Sequence, residues 1–289
     1  MADVDIALAC DNVHGEGPVW STEEQRLYWT DIEGWKLWWF HPQSGESSSI
    51  PMPEKLCCVA FRENGGLLLA FESGLSFFDP ATHDVERIVD IETDRPSTRM
   101  NDGRCDRNGR FIIGGFDNDM KDQSAVYRFD PDLSVHKLFE GVSSANSTCF
   151  SLDGTTMYFA NTPEQEIVAF DYNPGTGDLR DRRTFCTFED QPGMPDGSAI
   201  DEEGYLWNAQ WTGSRVVRYT PNGEVDRVYE TPCMNPTCVA FGGKDLDTLY
   251  VTSSRFTLSN EEKETYPTCG ALYAIKPGIR GVPESRFAG

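Results

Sequence analysis

One short pattern recurs six times along the 289-residue chain, and this repetition narrows the possible folds more than any other feature. The pattern is a β-like residue, a turn rich in Asp and Gly, and then an apolar strand. It reads VWSTEEQRLYWTD from Val19, VAFRENGGLLLAF from Val59 and GRCDRNGRFIIGG from Gly103. It returns as TCFSLDGTTMYFAN from Thr148, SAIDEEGYLWNAQ from Ser198 and VAFGGKDLDTLYVTS from Val239. A second strand pattern follows each copy, as in KLWWFHPQSGE or RVVRYTPNGEVDRVY, and most carry a Pro or Gly turn with a further strand behind it. The unit is thus about four short strands in roughly 40 to 50 residues, the size of one propeller blade.

The strands are rich in Phe, Tyr, Trp and Val and are bounded by Gly, Pro and Asp. No long stretch has the apolar spacing of an amphipathic helix. A β-sandwich has no need of six near-equal units. The expected fold is therefore all-β: a six-bladed β-propeller with four antiparallel strands per blade, one domain over residues 1–289. The early segment DIALAC is expected to add a strand to the last blade and close the ring, which removes exposed sheet edges.

Charge limits the partners. The chain carries 47 acidic and 25 basic residues, for a net charge of −22. Phosphate backbones and anionic membranes need a basic face, so neither nucleic acid nor membrane is an expected partner, whereas a cation site is favoured in such a field. The first twenty residues show no basic segment followed by an apolar run, so no signal peptide is expected. Nine Cys residues are scattered without metal-type spacing, which suggests small buried thiols in a reducing, cytoplasmic setting. The four His residues include no helical pair, so acid–base chemistry is expected to fall to carboxylates.

The repeats can be aligned on Trp20, Phe61, Cys105, Phe150, Ile200 and Phe241. Four positions earlier stand Glu16, Cys57, Asn101, Asn146, Asp196 and Thr237. Equivalent positions in successive blades form a ring about the propeller axis, here at one mouth of the channel. Four of the six residues bring a carboxylate or carboxamide. Taken singly, Asn and Asp before Gly are ordinary turn formers. Together they would crowd uncompensated charge into a narrow channel, which is costly unless a cation is bound. Oxygen donors suit a divalent cation: Ca²⁺, Mg²⁺ or Mn²⁺, with Zn²⁺ or Fe²⁺ also open. Three protein ligands would leave coordination positions for water and substrate.

The segments HGEGPVW, RMNDGRCDRNGRF, ANSTCFSLDG and MPDGSAIDEEGYLW resemble motifs of the SMP-30/gluconolactonase/luciferin-regenerating (regucalcin-like) family. GGKDLDTLYVTS resembles its sixth-blade motif, so the likeness runs in order over essentially the whole chain. The resemblance implies a six-bladed propeller with one divalent metal and activity on sugar lactones. It implies Glu16, Asn146 and Asp196 as metal ligands, with Asn101 touching substrate and metal-bound water. Arg99 would hold substrate hydroxyls or the ring oxygen. Asp119 falls where many relatives carry a substrate-contacting Glu, in a loop, FDNDM, that departs from the usual one.

The expected reaction is metal-dependent hydrolysis of a five- or six-carbon aldonolactone. Asp196 would both bind metal and accept the proton of the attacking water. Two rivals stand beside it: a Ca²⁺-binding regulatory or interaction propeller, and a metal-dependent aryl-ester or phosphotriester hydrolase. The polar Arg99 and Asn101 favour a polyol substrate. Trp29, Trp35, Trp38 and Trp39 are expected to pack between blades, His14 to be a loop residue, and SNEEKETYP to be a charged loop in the last blade.

Overall fold

The computed structural model describes residues 4–289 and contains six antiparallel sheets of four strands each. The fold is a six-bladed β-propeller. Blades 1 to 3 open with the strands Gly15–Ser21, Leu56–Phe61 and Thr98–Cys105, and blades 4 to 6 with Ala145–Phe150, Met194–Ile200 and Asn235–Gly242. Blade 6 takes three strands from the C-terminal part of the chain, ending in Leu272–Ile275, and its fourth from Val4–Leu8. Val4 pairs with Ile275 and Ile6 with Tyr273 in an antiparallel ladder, which is the closure expected of DIALAC. Blades 1, 5 and 6 make one compact unit. Blades 2, 3 and 4, with the C-terminal Glu284–Gly289, make another.

Burial falls steeply from the first strand of a blade to the last. Every residue of Leu56–Phe61 and of Ala145–Phe150 is buried, so these strands read as continuous apolar or small-residue runs. The fourth strands Glu46–Pro51 and Val85–Asp90 contain no buried residue and carry Ser, Glu, Arg and Asp instead. Side chains of successive sheets interdigitate between these extremes. In one unit Trp207 of blade 5 meets Phe241 of blade 6 edge-on at 5.8 Å. In the other, Phe139 meets Phe159 edge-on at 5.2 Å.

The recurring Asp-x-x-Gly turns have a local cause. In blade 3 Asp106 Oδ1 accepts the backbone N–H of Asn108 and of Arg110, at 2.9 and 2.8 Å. In blade 5 Asp201 Oδ1 does the same for Glu203 and Tyr205, at 2.9 and 3.0 Å. Gly109 and Gly204 close these turns at φ +81° and +80°, a region where glycine alone has no steric cost. The second carboxylate oxygen ties each turn to the core: Asp201 Oδ2 accepts from Trp207 Nε1 and from the buried Arg218.

All nine cysteines are buried and free, as the spacing suggested. Burial pushes the thiols of Cys10, Cys149 and Cys186 up to about 12, so they act as packing groups. Among the tryptophans, Trp29 is wholly buried and stacks on Trp38 at 5.6 Å, but Trp35 sits in a turn at φ +54° with 44% of its surface exposed. SNEEKETYP also differs from a plain loop. It contains the short helix Asn260–Thr265, started by a capping box in which Ser259 and Glu262 satisfy each other's backbone N–H groups. Among the described residues no helix is long and apolar enough to cross a membrane.

The C-terminal segment is stitched into blades 2 and 3. Phe287 N–H donates to Phe61 O at 2.8 Å, Glu63 N–H to Phe287 O at 2.8 Å, and Ala288 N–H to Gly109 O at 3.0 Å. The Phe287 ring has no exposed surface and stacks on Phe129 at 4.9 Å. Phe287→Ala should therefore cost about 3–5 kcal/mol of unfolding free energy. Urea denaturation measures this, and a loss below 1 kcal/mol would show that the strap contributes little.

Candidate active site

The first strand of every blade carries one extra residue at the same place. In blade 1 the three steps from Glu16 to Val19 face the two steps from Thr30 to Tyr28. In blade 4 Asn146–Cys149 faces Ala160–Tyr158. The same mismatch occurs at Met100–Gly103, Pro195–Ser198 and Pro236–Val239, and one step shorter at Leu56–Cys58. A β-bulge breaks the strict alternation of side chains and re-aims the residue beside it. Glu16, Cys57, Asn101, Asn146, Asp196 and Thr237 all lie at or inside these bulges. Glu16 and Asn146 also share a local conformation: each is followed by a left-handed residue, Gly17 at φ +53° and Ser147 at φ +57°.

In blades 1, 5 and 6 the bulges present two carboxylates. Glu16 is half-buried, and its Oε2 accepts the N–H of Gly17 at 2.9 Å. Asp196 is buried, with 4% of its surface exposed, and its main-chain oxygen accepts Asn208 Nδ2 at 2.8 Å. Thr237, at the equivalent position of blade 6, has a different task. Its hydroxyl donates to Gly15 O at 2.6 Å and so fastens the entry of blade 1 beside Glu16.

In blades 2, 3 and 4 the ring position carries a hydrogen-bonded chain. Arg99 Nη1 donates to Asn101 Oδ1 at 2.6 Å and to Met100 O at 2.9 Å. Asn101 Nδ2 donates to Ala145 O at 2.8 Å and to Asn146 Oδ1 at 3.3 Å. Asn146 Nδ2 donates to Thr162 Oγ1 at 2.8 Å. Each amide is thereby oriented: turning Asn146 over would set its NH₂ against that of Asn101. Its Oδ1 faces Asn101 with one lone pair accepting. Arg99 is buried, its guanidinium 4.4 Å over the Phe116 ring and 3.9 Å from the Cys57 sulfur, and among the described residues it makes no ion pair with a carboxylate. It is a desolvated cation, not a surface ion-pair partner.

Asp119 stands apart from this chain. It lies in the turn after Phe111–Asp117, about half exposed, with its carboxylate paired to Lys121 at 3.1 Å. Among the described residues no group of three or more His, Cys, Asp or Glu side chains is arranged to hold a metal. The ligand set implied by the resemblance has only two such residues, and its third donor is an amide oxygen. Two carboxylates and a carboxamide oxygen, with no thiolate or imidazole, suit a hard or borderline divalent cation.

The sequence matches the family described as SMP-30/Gluconolactonase/LRE-like region over residues 14–255. The chain belongs to this family. It is 41% identical to an L-arabinolactonase of Azospirillum brasilense over 96% of this chain and 93% of that one. It is 37% identical to a 6-deoxy-6-sulfogluconolactonase of Pseudomonas putida, over 96% of both chains. Among solved structures it resembles a calcium-binding protein, regucalcin, of Agrobacterium tumefaciens with a TM-score of 0.96 at 29% identity, covering 100% of this chain and 98% of that one.

Two supporting residues of this family member escaped the motif reading. Asp102 is buried, and its Oδ2 accepts the N–H of Thr148 at 2.8 Å, which holds the bulge that follows Asn146. Burial pushes its carboxyl above the usual range despite the nearby Arg104. Asp102 was in plain view beside Asn101, but its partner was not. Thr162 begins a short 3-10 turn after the second strand of blade 4, and no signal in the sequence marks it. Thr162→Val should leave the buried Asn146 NH₂ short of its 2.8 Å acceptor and cost about 1–3 kcal/mol of stability. Unfolding in urea, compared with Thr162→Ser, checks this; equal stability of the two variants would remove Thr162 from the network.

Proposed function

We propose that the protein is a metal-dependent hydrolase of sugar lactones, opening a five- or six-carbon aldonolactone to the free sugar acid. The observation that carries this reading is a pair of carboxylates and an oriented amide oxygen set in equivalent blade bulges. They occur in a chain 41% identical, over nearly its full length, to an L-arabinolactonase. Relatives named for a pentonolactone and for a six-carbon sulfogluconolactone fit both carbon counts.

Glu16, Asn146 and Asp196 would hold the cation. When bound, it supplies Lewis-acid polarisation of the lactone carbonyl and electrostatic stabilisation of the oxyanion. Asp196 accepts the proton of the attacking water as that oxygen bonds to the carbonyl carbon. The ring C–O ester bond then breaks, and the proton passes to the departing ring oxygen, which becomes a hydroxyl. Arg99 offers its remaining N–H groups to a substrate hydroxyl or the ring oxygen, where desolvation strengthens each such bond. Asn101 already spends both amide protons, on Ala145 O and Asn146 Oδ1. Its role is therefore to orient the Asn146 oxygen and the Arg99 guanidinium, with substrate contact secondary.

Chelator-treated protein should lose hydrolysis of sugar lactones and regain it on adding one of Ca²⁺, Mg²⁺, Mn²⁺, Zn²⁺ or Fe²⁺. The readout is proton release from a panel that includes arabinono-, xylono-, galactono- and gluconolactones, with the spontaneous rate subtracted. Full activity of the metal-free protein would refute the metal dependence. Asp196→Asn keeps an oxygen donor of the same size but no proton acceptor, and turnover should fall on the order of a hundredfold or more. A wild-type rate in this variant would end the assignment of Asp196.

A further inference from the structure

Three aromatic rings stand at the end of blades 5, 6 and 1 from which Glu16 and Asp196 project. His14 immediately precedes the strand that carries Glu16. Trp211 ends the second strand of blade 5 and pairs with Met194, two residues before Asp196. Phe256 follows the second strand of blade 6. The His14 ring meets Trp211 edge-on at 5.7 Å and Phe256 at 5.9 Å, tilted by 60°. Phe256 keeps 50% of its surface exposed.

The rings are held by polar contacts rather than by packing alone. His14 Nδ1 lies 2.7 Å from the fully buried Ser254 hydroxyl, which also accepts the Phe256 N–H at 3.1 Å. One hydroxyl therefore sets the orientation of His14 and the path of the chain into Phe256. The turn after Trp211 is strained: Thr212 and Ser214 adopt φ +60° and +51°, and a β-branched residue rarely enters that region. Thr212 is kept there by its N–H to Asn235 Oδ1 at 3.2 Å and by its hydroxyl to Trp211 O at 2.7 Å. Backbone strain tied down from two sides, next to an aromatic side chain at the mouth of a site, marks a side chain whose placement matters.

We propose that His14, Trp211 and Phe256 form an aromatic wall that receives the C–H face of the sugar ring beside Glu16 and Asp196. This rests on the sugar-lactone reading above and adds the subsite that selects for a ring with an apolar face. A lactone ring carries hydroxyls at its edges and C–H groups on its faces. The edges call for Arg99-type donors, and the faces suit an aromatic surface.

The test is steady-state hydrolysis by Trp211→Ala, Phe256→Ala and the conservative Trp211→Phe, with melting temperature as the folding check. KM for the best lactone should rise about five- to tenfold in each alanine variant, more than kcat falls, and Trp211→Phe should recover most of the loss. KM within twofold of wild type in both alanine variants would overturn the wall. Intrinsic fluorescence separates this proposal from the lactonase reading. Titration with a sugar acid, the product class, should quench wild type and leave Trp211→Phe largely unquenched. If wild type hydrolyses no lactone but shows this Trp211-dependent quench, the reaction assignment fails and the sugar subsite stands. If Trp211→Phe is quenched as strongly as wild type, the subsite fails whatever the activity.

Discussion

The single extra residue in the first strand of each blade is the constraint on which the candidate site depends. A regular strand sends alternate side chains to opposite faces of its sheet, where in a propeller they meet the neighbouring blades. A polar side chain aimed there would be buried without partners. The bulge interrupts the alternation for one position and re-aims that residue. Glu16, Asn101, Asn146, Asp196 and Thr237 are each released from sheet packing in this way. The positive φ of Gly17 and Ser147 is the local cost, modest for glycine and greater for serine.

What each blade does with the released position is a matter of chemistry. Glu16 and Asp196 supply negative charge, Asn146 a neutral oxygen, and Thr237 a hydroxyl that fastens Gly15. Asn101 converts the buried cation Arg99 into an orienting force: the guanidinium fixes the Asn101 oxygen, so its NH₂ faces Asn146, and the Asn146 oxygen is fixed in turn. Among the described residues Arg99 makes no ion pair with a carboxylate and is held instead by a carbonyl, an amide oxygen and the face of Phe116. Charge is thus kept available inside the protein, where the low dielectric makes it effective.

Much of this was legible in advance because a repeat fold writes its geometry into spacing. Six copies of one strand–turn pattern specify six blades, and counting four positions back from the turn finds the bulge residue of each blade without any coordinates. The Asp106 and Asp201 turns were equally plain, since Asp-x-x-Gly works through bonds within five residues. The hidden parts all depend on partners remote in sequence. Thr162 reaches Asn146 from the end of the neighbouring strand, and Asp102 reaches Thr148 from the adjacent blade. His14 joins Trp211 through nearly 200 residues of intervening chain. Trp35 went the other way: a residue type suited to the interior lies in an exposed turn, because turn geometry overrode composition.

The sequence by itself determined the architecture, the blade count, the closing strand and which residue stands at the bulge of each blade, because these follow from periodicity and local turn chemistry. Only the tertiary structure decided which way each amide points, that Arg99 is buried over an aromatic ring, and that His14, Trp211 and Phe256 share one surface. The physical reason is range. Hydrogen-bond alternation and Asx turns act over a few residues and leave a mark in the string. A side chain's orientation is set by whichever distant donor or ring the closed propeller brings to within about 3 to 6 Å of it.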